Sequence, residues 1–213
     1  DGGSKDETME IVKSYGDRIQ KVISEPDKGI YDGMNKGVTQ ATGDIVGILN
    51  SDDFYQNDEV LSKLVASFSE GIQGVYADLV YVDQEDTDIV KRKWVSGEYK
   101  EGSFVKGWMP PHPTFFVKKE VYEKFGSYTL ELRSAADYEF MLRVIHKEKI
   151  KVAYLPEVIV RMRVGGASNV SLKSRIKANR EDKRAWEMNG LKPSSLTFIR
   201  KPLSKVGQWI KKK

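Results

Sequence analysis

The chain has 213 residues, 39% hydrophobic and 31% charged, a composition typical of a chain that folds around its own core. It contains no cysteine, which excludes disulfides, thiolate zinc sites and cysteine nucleophiles, and no apolar run approaches the roughly 20 residues that span a bilayer. The net charge of +4 divides into −6 over residues 1–172 and +10 over residues 173–213, so the body is acidic and the end is basic.

The predicted elements alternate between helix and strand in the first half, which is typical of a parallel sheet, and are mixed in the second half. The first half comprises a helix after a capping-box pattern at 4–7, a strand at 21–23, a helix at 32–42, a strand at 44–49, a helix capped by Asn57 or Asp58, and strands at 74–82 and 89–95. The second half comprises a strand at 112–117, a short helix ending at Gly126, a helix at 134–147, strands at 152–155 and 158–164 around Pro156, and a charged helix at 171–189.

The strand at 44–49 is a near-continuous apolar run, which is typical of a parallel strand covered on both faces. Two adjacent carboxylates, Asp52 and Asp53, follow its carboxyl end, where ligands bind in open α/β sheets. Because the two charges repel unless a cation shares them, the pair indicates a divalent cation that carries substrate phosphates. Asn-Ser-Asp-Asp also suits a turn, and the segment alone favours neither interpretation.

Three further segments of the sequence contain residues that are typical of a ligand-binding or catalytic site. Residues 26–37 form a glycine-punctuated loop that leads into a helix, and Lys28 would reinforce the anion site at that helix N-terminus. His112 follows two prolines at the start of an apolar strand, where a local hydrogen bond and a ligand contact are both open. Asp137 lies in the first turn of a helix, where capping with Ser134 is an alternative to chemistry.

Four blocks resemble family-2 glycosyltransferases with the GT-A fold, and they follow that family's order and spacing over about residues 1–165. The blocks are DGGSKDET at 1–8, EPDKGIYDGMNKGVTQATGDIVGILNSDD at 25–53, HPTFFVKKEVYEKFGSY at 112–128 and AADYEFMLRV at 135–144. The resemblance implies an α/β fold with a mixed sheet flanked by helices. It also implies a nucleotide-diphosphate sugar donor, with UDP as the expected nucleotide, Mn²⁺ or Mg²⁺, and inverting transfer of the sugar to an acceptor hydroxyl.

The resemblance implies roles for individual residues. Asp53 matches the carboxylate that meets the metal, and Asp137 matches the general base. The positions that match donor-binding residues are Asp1, Lys28, Asp32, Asn35 and Asp52, with Asp1 and Lys28 near the nucleobase and Asp52 on the ribose. Relatives often carry a second acid after Asp1, and this chain has Gly2 there.

Physical chemistry supports these roles independently. A base must take the proton from the acceptor hydroxyl as it attacks the anomeric carbon, and nearby negative charge raises the pKa of a carboxylate toward neutrality. A metal between the phosphates stabilises the leaving nucleoside diphosphate without a proton donor. One base and one metal-binding acid are therefore a sufficient set.

Two residues are assigned to the acceptor or to a phosphate, His112 and Trp108. Trp108 begins a WMPP loop that is suited to covering an acceptor. Arg161, Arg163 and the GGAS stretch at 165–168 form a basic segment that could close over the diphosphate, and surface arginines followed by a turn are the alternative.

Family members carry a strand, a helix and a strand before the loop that matches residues 1–4, a unit of about 30 residues or more. We therefore expect a piece of a longer chain, with a partial GT-A domain at 1–170 and a basic helical extension at 171–213. Because the sheet would lack central strands, we expect these residues alone to bind donor poorly and to show little turnover.

Residues 196–213 combine six basic residues with apolar ones and no acid, which is typical of an interfacial amphipathic helix. We expect a cytoplasmic protein whose arm binds the anionic inner face of the cell membrane, where a glycan or lipid-linked acceptor for bacterial surface polysaccharide would lie. The alternative is a helix that packs back on the domain or pairs with another subunit.

Two other classes of function stay open at this point. A non-catalytic nucleotide-sugar-binding or scaffold domain would keep the fold, but it has no chemical need for both Asp53 and Asp137. A metal-dependent nucleotidyltransferase shares the sheet and the acids, and its phosphate loop would lie before residue 1. Nucleic acid is not an expected partner, because the acidic body opposes it.

Overall fold

The computed structural model describes residues 1–165, 172–194 and 197–198, with the backbone alone for 172–177. Its helices are α1 (Thr8–Ser14), α2 (Ile30–Gln40), α3 (Val60–Ala66), α4 (Lys119–Phe125), α5 (Ala136–Met141), which a π-helical turn (Leu142–Lys147) continues, and α6 (Leu172–Met188). Its strands are β1 (Ile45–Val46), β2 (Asp53–Tyr55), β3 (Gly74–Val82), β4 (Val90–Trp94), β5 (Phe116–Lys118) and β6 (Val152–Arg163).

The six strands form one mixed sheet in the order β1-β5-β3-β6-β2, with β4 also paired to β3. In the described part of the chain, β3 and β6 are the one parallel pair, with Gly74 opposite Val152 and Val82 opposite Arg163. The pairs β1–β5, β2–β6, β3–β4 and β3–β5 are all antiparallel. The expected mixed sheet is confirmed, whereas the parallel pattern expected for the first half is wrong, because β1 and β2 each pair antiparallel with a later strand.

The strand expected at 44–49 is shorter and less buried than its sequence suggests. Only Ile45 and Val46 pair with β5, and Leu49 is 40% exposed. Strand β1 ends the strand order, so β5 covers one of its edges only. The chain leaves the ladder at Gly47, where the Phe116 ring occupies the space that a Cβ would need. Gly47 is therefore required for this close approach.

Two further differences from the expected strands occur where the sequence contains proline. The segment expected as a strand at 112–117 begins as a 3₁₀ turn, His112–Thr114, in which Thr114 N donates to the Pro111 carbonyl, and β5 follows it. The two strands expected around Pro156 are one strand, β6. Its register against β3 shifts next to Asp78, and this irregularity accommodates a residue that has no N–H to donate.

The N-terminal elements also differ from expectation. The capping box at 4–7 does not form, because the Ser4 hydroxyl donates to the Asp1 carboxylate, 2.5 Å away, and helix α1 starts at Thr8. No residue of α1 is buried. Residues 21–23 are not a strand, although Ile23 O accepts a hydrogen bond from the N-terminal amino group.

The core lies on both sides of β3, which is buried over nearly its whole length. Helix α6 packs into the same core through Ala185 and Trp186, and the Trp186 indole N–H donates to the Tyr138 hydroxyl at 2.9 Å. In the described part of the chain, no helix has both the length and the apolar character that crossing a membrane requires. The division of the chain at residue 170 stays a prediction.

Most of the basic arm at 196–213 lies outside the described residues. At its start, Thr197 is buried and its hydroxyl donates to the Val105 carbonyl at 2.7 Å, while Phe198 packs against the core. These two contacts agree with the alternative in which the beginning of the arm packs back on the domain.

A buried ion pair lies within the helix that α5 and the π-helical turn form, and its arginine also binds the end of α4 and the loop that follows it. Both Glu139 oxygens accept from Arg143, at 2.9 and 3.1 Å, and Glu139 also accepts from the Asn189 amide at 2.9 Å. The Arg143 guanidinium also donates to the carbonyls of Phe125, Gly126 and Ser127. Glu139 is 3% exposed, so its charge depends on these partners.

We expect Arg143→Ala to lower the free energy of unfolding by about 3 kcal/mol or more, because it leaves the Glu139 charge buried without its cation. Urea denaturation measures this. Arg184→Ala is the matched control, since that arginine is 56% exposed and its pair with Glu131 is 3.6 Å long, and it is expected to cost at most about 1 kcal/mol. Equal losses in the two variants would contradict the structural role of Arg143.

Candidate active site

The paired acids follow a tight turn at the start of β2. Asp53 N donates to Asn50 O at 3.1 Å, and the Asn50 side-chain amide donates to Asp53 Oδ2 at 2.9 Å. Asp53 is fixed in register opposite Met162 on β6. Asn-Ser-Asp-Asp therefore does form a turn, and this turn presents Asp53 and Asp52 to different surroundings.

Asp53 is a buried carboxylate with incomplete hydrogen bonding. It is 7% exposed, and its Oδ1 is buried with no hydrogen-bond partner in the described part of the chain. Burial raises the pKa of Asp53 to about 6; the Asn50 hydrogen bond opposes this rise, Asp52 adds to it, and Arg163 opposes it. An acid in this state needs either a proton or an external cation.

The surroundings of Asp53 fit a divalent cation. Asp53 would contact Mn²⁺ or Mg²⁺ through a carboxylate oxygen that has no partner in the described part of the chain. No group of three or more acidic or histidine side chains that could hold a metal occurs among the described residues. Mg²⁺ in particular is commonly bound through one or two carboxylates together with substrate phosphates and water. The unpartnered Oδ1 is the atom available for such a contact.

Asp52 is exposed, and an arginine from β6 holds its backbone. Arg163 Nη1 donates to the Asp52 carbonyl at 3.0 Å, and the guanidinium lies 5.0 Å from the centre of the Phe54 ring. Arg161 donates to the Gln56 side chain, so both arginines fasten β2 to β6. Residues 166–168 of the predicted closing segment lie outside the described residues.

Asp137 is held by a residue from a distant part of the chain. The Tyr31 hydroxyl of α2 donates to Asp137 Oδ1 at 2.9 Å. The capping alternative is wrong, because α5 begins at Ala136 without a side-chain cap and Ser134 donates to Glu181 instead. Asp137 is partly exposed, although its neighbours in α5 are buried.

Asn35 and His112 are both engaged with Tyr128. The Asn35 amide donates to Tyr128 O at 2.8 Å and its oxygen accepts from Tyr128 N at 3.0 Å. His112 Nε2 lies 2.9 Å from the Tyr128 hydroxyl. Burial lowers the pKa of His112, and the charge of Asp137 acts in the opposite direction. The local hydrogen bond foreseen for His112 is present, and contacts of either residue with ligands stay predictions.

The other predicted donor residues lie around the start of α2. The Asp1 carboxylate accepts from Ser4 and from the Ser24 hydroxyl, at 2.5 and 2.6 Å, and Asp32 accepts from Lys28 N at 3.0 Å. A cavity of about 640 Å³ is lined by residues of the N-terminal segment and of α2. Its lining residues include Asp1, Asp27, Gly33, Lys36 and Gly37, but neither Asp53 nor Asp137.

Trp108 lies in an aromatic cluster rather than on an open loop. Its indole N–H donates to Ser96 O at 2.7 Å, and its ring packs against Tyr76, Tyr99 and Phe104 with centroids 5.3–5.5 Å apart. The following residues of the WMPP loop are buried. This packing leaves the loop little freedom to cover an acceptor, and such a role for Trp108 stays a prediction.

Apart from Asp1, Lys28 and Asp32 around the start of α2, and Trp108 in its aromatic cluster, the structure places the predicted residues in two groups. The first contains Asp52 and Asp53 with the β6 arginines, and the second contains Asp137, Asn35 and His112 around two tyrosines. In the described part of the chain no hydrogen bond or ion pair joins the two groups. Sequence reasoning missed Tyr31, although it lies inside the GIYDGMNKG segment, beside Asp32.

The raised pKa of Asp53 predicts how metal-free stability depends on pH. Because folding raises this pKa from 3.8 to about 6, ionisation of Asp53 destabilises the native state as pH rises through that window. We expect Asp53→Asn to gain stability relative to wild type between about pH 4 and pH 6, with a constant gain above. Thermal melts in EDTA measure this, with Asp58→Asn, a change at an exposed aspartate, as the control. A gain independent of pH would contradict the burial argument.

Comparison with known proteins identifies the family. The family model described as glycosyl transferase family 2 matches residues 1–148. A PGL/p-HBAD biosynthesis glycosyltransferase of Mycobacterium bovis is 28% identical over 177 residues, which cover 79% of this chain and 66% of that protein. An uncharacterised glycosyltransferase of Mycobacterium tuberculosis is 31% identical over 151 residues, covering 67% of this chain and 54% of the relative. The chain therefore spans less than two thirds of the length of these relatives.

Solved structures show the same fold at low identity. TarS of S. aureus in complex with UDP-GlcNAc superposes with a TM-score of 0.59 at 16% identity, over 99% of this chain and 68% of that one. The mannosyltransferase PcManGT from Pyrobaculum calidifontis, in complex with GDP-Man and Mn²⁺, gives 0.62 at 15% identity, over 99% and 59%. The mixed sheet is therefore that of the GT-A fold. Because the family model covers well over half of the chain, the protein belongs to glycosyltransferase family 2.

Proposed function

We propose that the full-length protein is a metal-dependent inverting glycosyltransferase that moves a sugar from a nucleotide-diphosphate donor to an acceptor hydroxyl. The observation that carries this proposal is the Asp53 carboxylate, which is buried with one oxygen unpartnered in the described part of the chain. A bound cation would satisfy that oxygen and offset the cost of burying its charge. The proposal concerns the activity of the whole protein, since this chain spans less than two thirds of the length of the relatives compared above.

In this proposal Asp137 is the general base. Its partial exposure at the start of α5 lets an acceptor hydroxyl reach it, while Tyr31 holds its Oδ1. As the acceptor oxygen bonds to the anomeric carbon, its proton passes to Asp137 and the bond to the nucleoside diphosphate breaks on the opposite face. A divalent ion held by Asp53 would stabilise negative charge on the departing diphosphate.

The donor and cofactor are proposed from the chemistry of the site and from related structures. TarS binds UDP-GlcNAc, and PcManGT binds GDP-Man with Mn²⁺, which supports a nucleotide sugar and Mn²⁺ or Mg²⁺ for this chain. UDP is the nucleotide that we propose. Asp1, Lys28, Asp32, Asn35 and Asp52 are the proposed donor contacts, and a glycan or lipid-linked acceptor of bacterial surface polysaccharide synthesis is the proposed acceptor.

Thermal-shift measurements on the full-length protein test the metal site. We expect UDP or GDP together with Mn²⁺ to raise the melting temperature more than the nucleotide alone, because a ligand that binds only the native state stabilises it. Asp53→Ala is expected to lose the Mn²⁺-dependent part of the shift, and Asp137→Asn to keep it. An unchanged Mn²⁺-dependent shift in Asp53→Ala would contradict the assignment of Asp53.

Release of nucleoside diphosphate tests the base. With UDP-glucose, UDP-GlcNAc and GDP-mannose as donors and water as acceptor, we expect Asp137→Asn to slow release by about 100-fold or more, the usual contribution of general base catalysis. Wild-type turnover in Asp137→Asn would contradict this role. Nucleotide binding without turnover of any donor by the wild-type protein would favour the non-catalytic binding domain instead.

We also propose that the basic arm attaches the protein to the inner face of the cell membrane. Its composition of six basic residues among apolar ones supports this. Because Thr197 and Phe198 contact the domain, the part proposed to bind the membrane follows them.

Liposome co-sedimentation tests the arm. We expect full-length protein to sediment with vesicles that contain anionic lipid and deletion of residues 199–213 to abolish this, while nucleotide binding persists. Replacing the six basic residues with glutamine separates charge from apolar contact and is expected to weaken binding by roughly 1 kcal/mol per charge near the surface. Sedimentation that survives the deletion would refute the proposal.

A further inference from the structure

We infer that Tyr31 is a positioning residue for Asp137, fixing which of its carboxylate oxygens receives the acceptor proton. The inference rests on the proposed function, in which Asp137 is the general base. It assigns to Tyr31 a role that the matched sequence blocks do not give it, and it extends to the side chains that hold Tyr31 in place.

The hydrogen bond between Tyr31 and Asp137 joins residues 106 positions apart in the sequence. The hydroxyl donates to Oδ1 at 2.9 Å, and Tyr31 itself is 8% exposed. In the described part of the chain Oδ2 has no hydrogen-bond partner. Because Oδ1 is already occupied, Oδ2 is the oxygen that an acceptor hydroxyl can approach.

The Tyr31 hydroxyl acts as a permanent donor. Burial, and after it the negative charge of Asp137, raises the pKa of Tyr31, so the phenol stays protonated in the physiological range. Tyr31 therefore orients Asp137 through a donor that is kept throughout this range.

Helix α2 holds the Tyr31 ring rigidly through a second contact. Tyr31 and Asn35 are four residues apart on one helix face, and both contact Tyr128. The Tyr31 ring packs against the Tyr128 ring with centroids 5.8 Å apart, and the Asn35 side chain makes two hydrogen bonds to the Tyr128 backbone. His112 fixes the hydroxyl end of Tyr128. Asn35 and His112 thus hold Tyr128 in place, and Tyr128 in turn packs against the Tyr31 ring.

The test compares Tyr31→Phe with Tyr154→Phe in the full-length protein. The Tyr154 hydroxyl also donates to a buried aspartate, Asp78, at 2.7 Å, so the control removes the same kind of hydrogen bond elsewhere in the domain. Release of nucleoside diphosphate from UDP-glucose, UDP-GlcNAc and GDP-mannose is followed at varied donor concentration, which separates kcat from KM. Melting temperatures with UDP and Mn²⁺ report donor-site binding separately.

For Tyr31→Phe we expect kcat to fall about 10-fold with donor KM within twofold of wild type, part of the 10²–10⁴-fold range of general base catalysis. Tyr154→Phe is expected to keep both kcat and the donor KM. Tyr31→Phe should retain the nucleotide-dependent thermal shift.

Each other outcome overturns the inference and identifies what failed. A raised KM with unchanged kcat would make Tyr31 a ligand contact, and equal losses in the two variants would make the hydrogen bond purely structural. An unchanged kcat in Tyr31→Phe, beside a large loss in Asp137→Asn, would reject the positioning role and leave the proposed function intact. Wild-type turnover in Asp137→Asn would reject the proposed base itself.

Discussion

The parallel pairing of β3 with β6 is the constraint on which the rest of the structure depends. Strand β3 is buried over nearly its whole length, and each of its edges is used, by β6 on one side and by β5 and β4 on the other. Strand β2 is held on the far edge of β6, which fixes Asp53 opposite Met162. Strand β5 leads directly into α4 and the loop that carries Tyr128. Both groups of candidate site residues are therefore positioned from one central pair of strands.

Three of the four buried acids among the described residues, Asp53, Asp78 and Glu139, differ in how their charges are satisfied. Asp78 accepts from the Ser96 N–H and the Tyr154 hydroxyl, and Glu139 accepts from Arg143 and Asn189. Asp53 has one side-chain donor, Asn50, and one oxygen with no partner in the described part of the chain. Since a folded chain normally satisfies its buried polar atoms, this unpartnered oxygen is the observation on which the proposed cation contact of Asp53 rests. His146 Nδ1 is the other such side-chain atom among the described residues.

The sequence allowed most elements to be foreseen, because their signals are local. Strand β3 has the bounds expected from its apolar run, and Gly126 follows the end of α4 as predicted. The elements that were predicted wrongly are those in which contacts with distant residues override the local sequence pattern. The apolar run after Gly43 forms only two paired residues, because β5 covers one edge and the Phe116 ring crowds Gly47.

The candidate site shows the same limit. Asp53 and Asp137 were predicted from short motifs and from resemblance, and those signals are contained in a few adjacent residues. The hydrogen bond from Tyr31 to Asp137 leaves no such signal, because its two residues are far apart in sequence. Likewise, nothing local to Asn35 or His112 indicates that both meet Tyr128. Such roles follow from tertiary packing alone.

Helix α2 connects these observations, because its two faces serve different parts of the site. At about 100° per residue, Tyr31 and Asn35 lie within roughly 40° of each other, while Gly33 and Lys36 lie roughly 140–160° away from Tyr31. The first face holds Asp137 and Tyr128, and the second lines the cavity beside Asp1. A rigid helix with this arrangement sets the separation between the Asp1 cavity and the candidate base. The polar residues of the GIYDGMNKG segment are therefore divided between two surfaces, and Tyr31 belongs to the surface that faces Asp137, the proposed base.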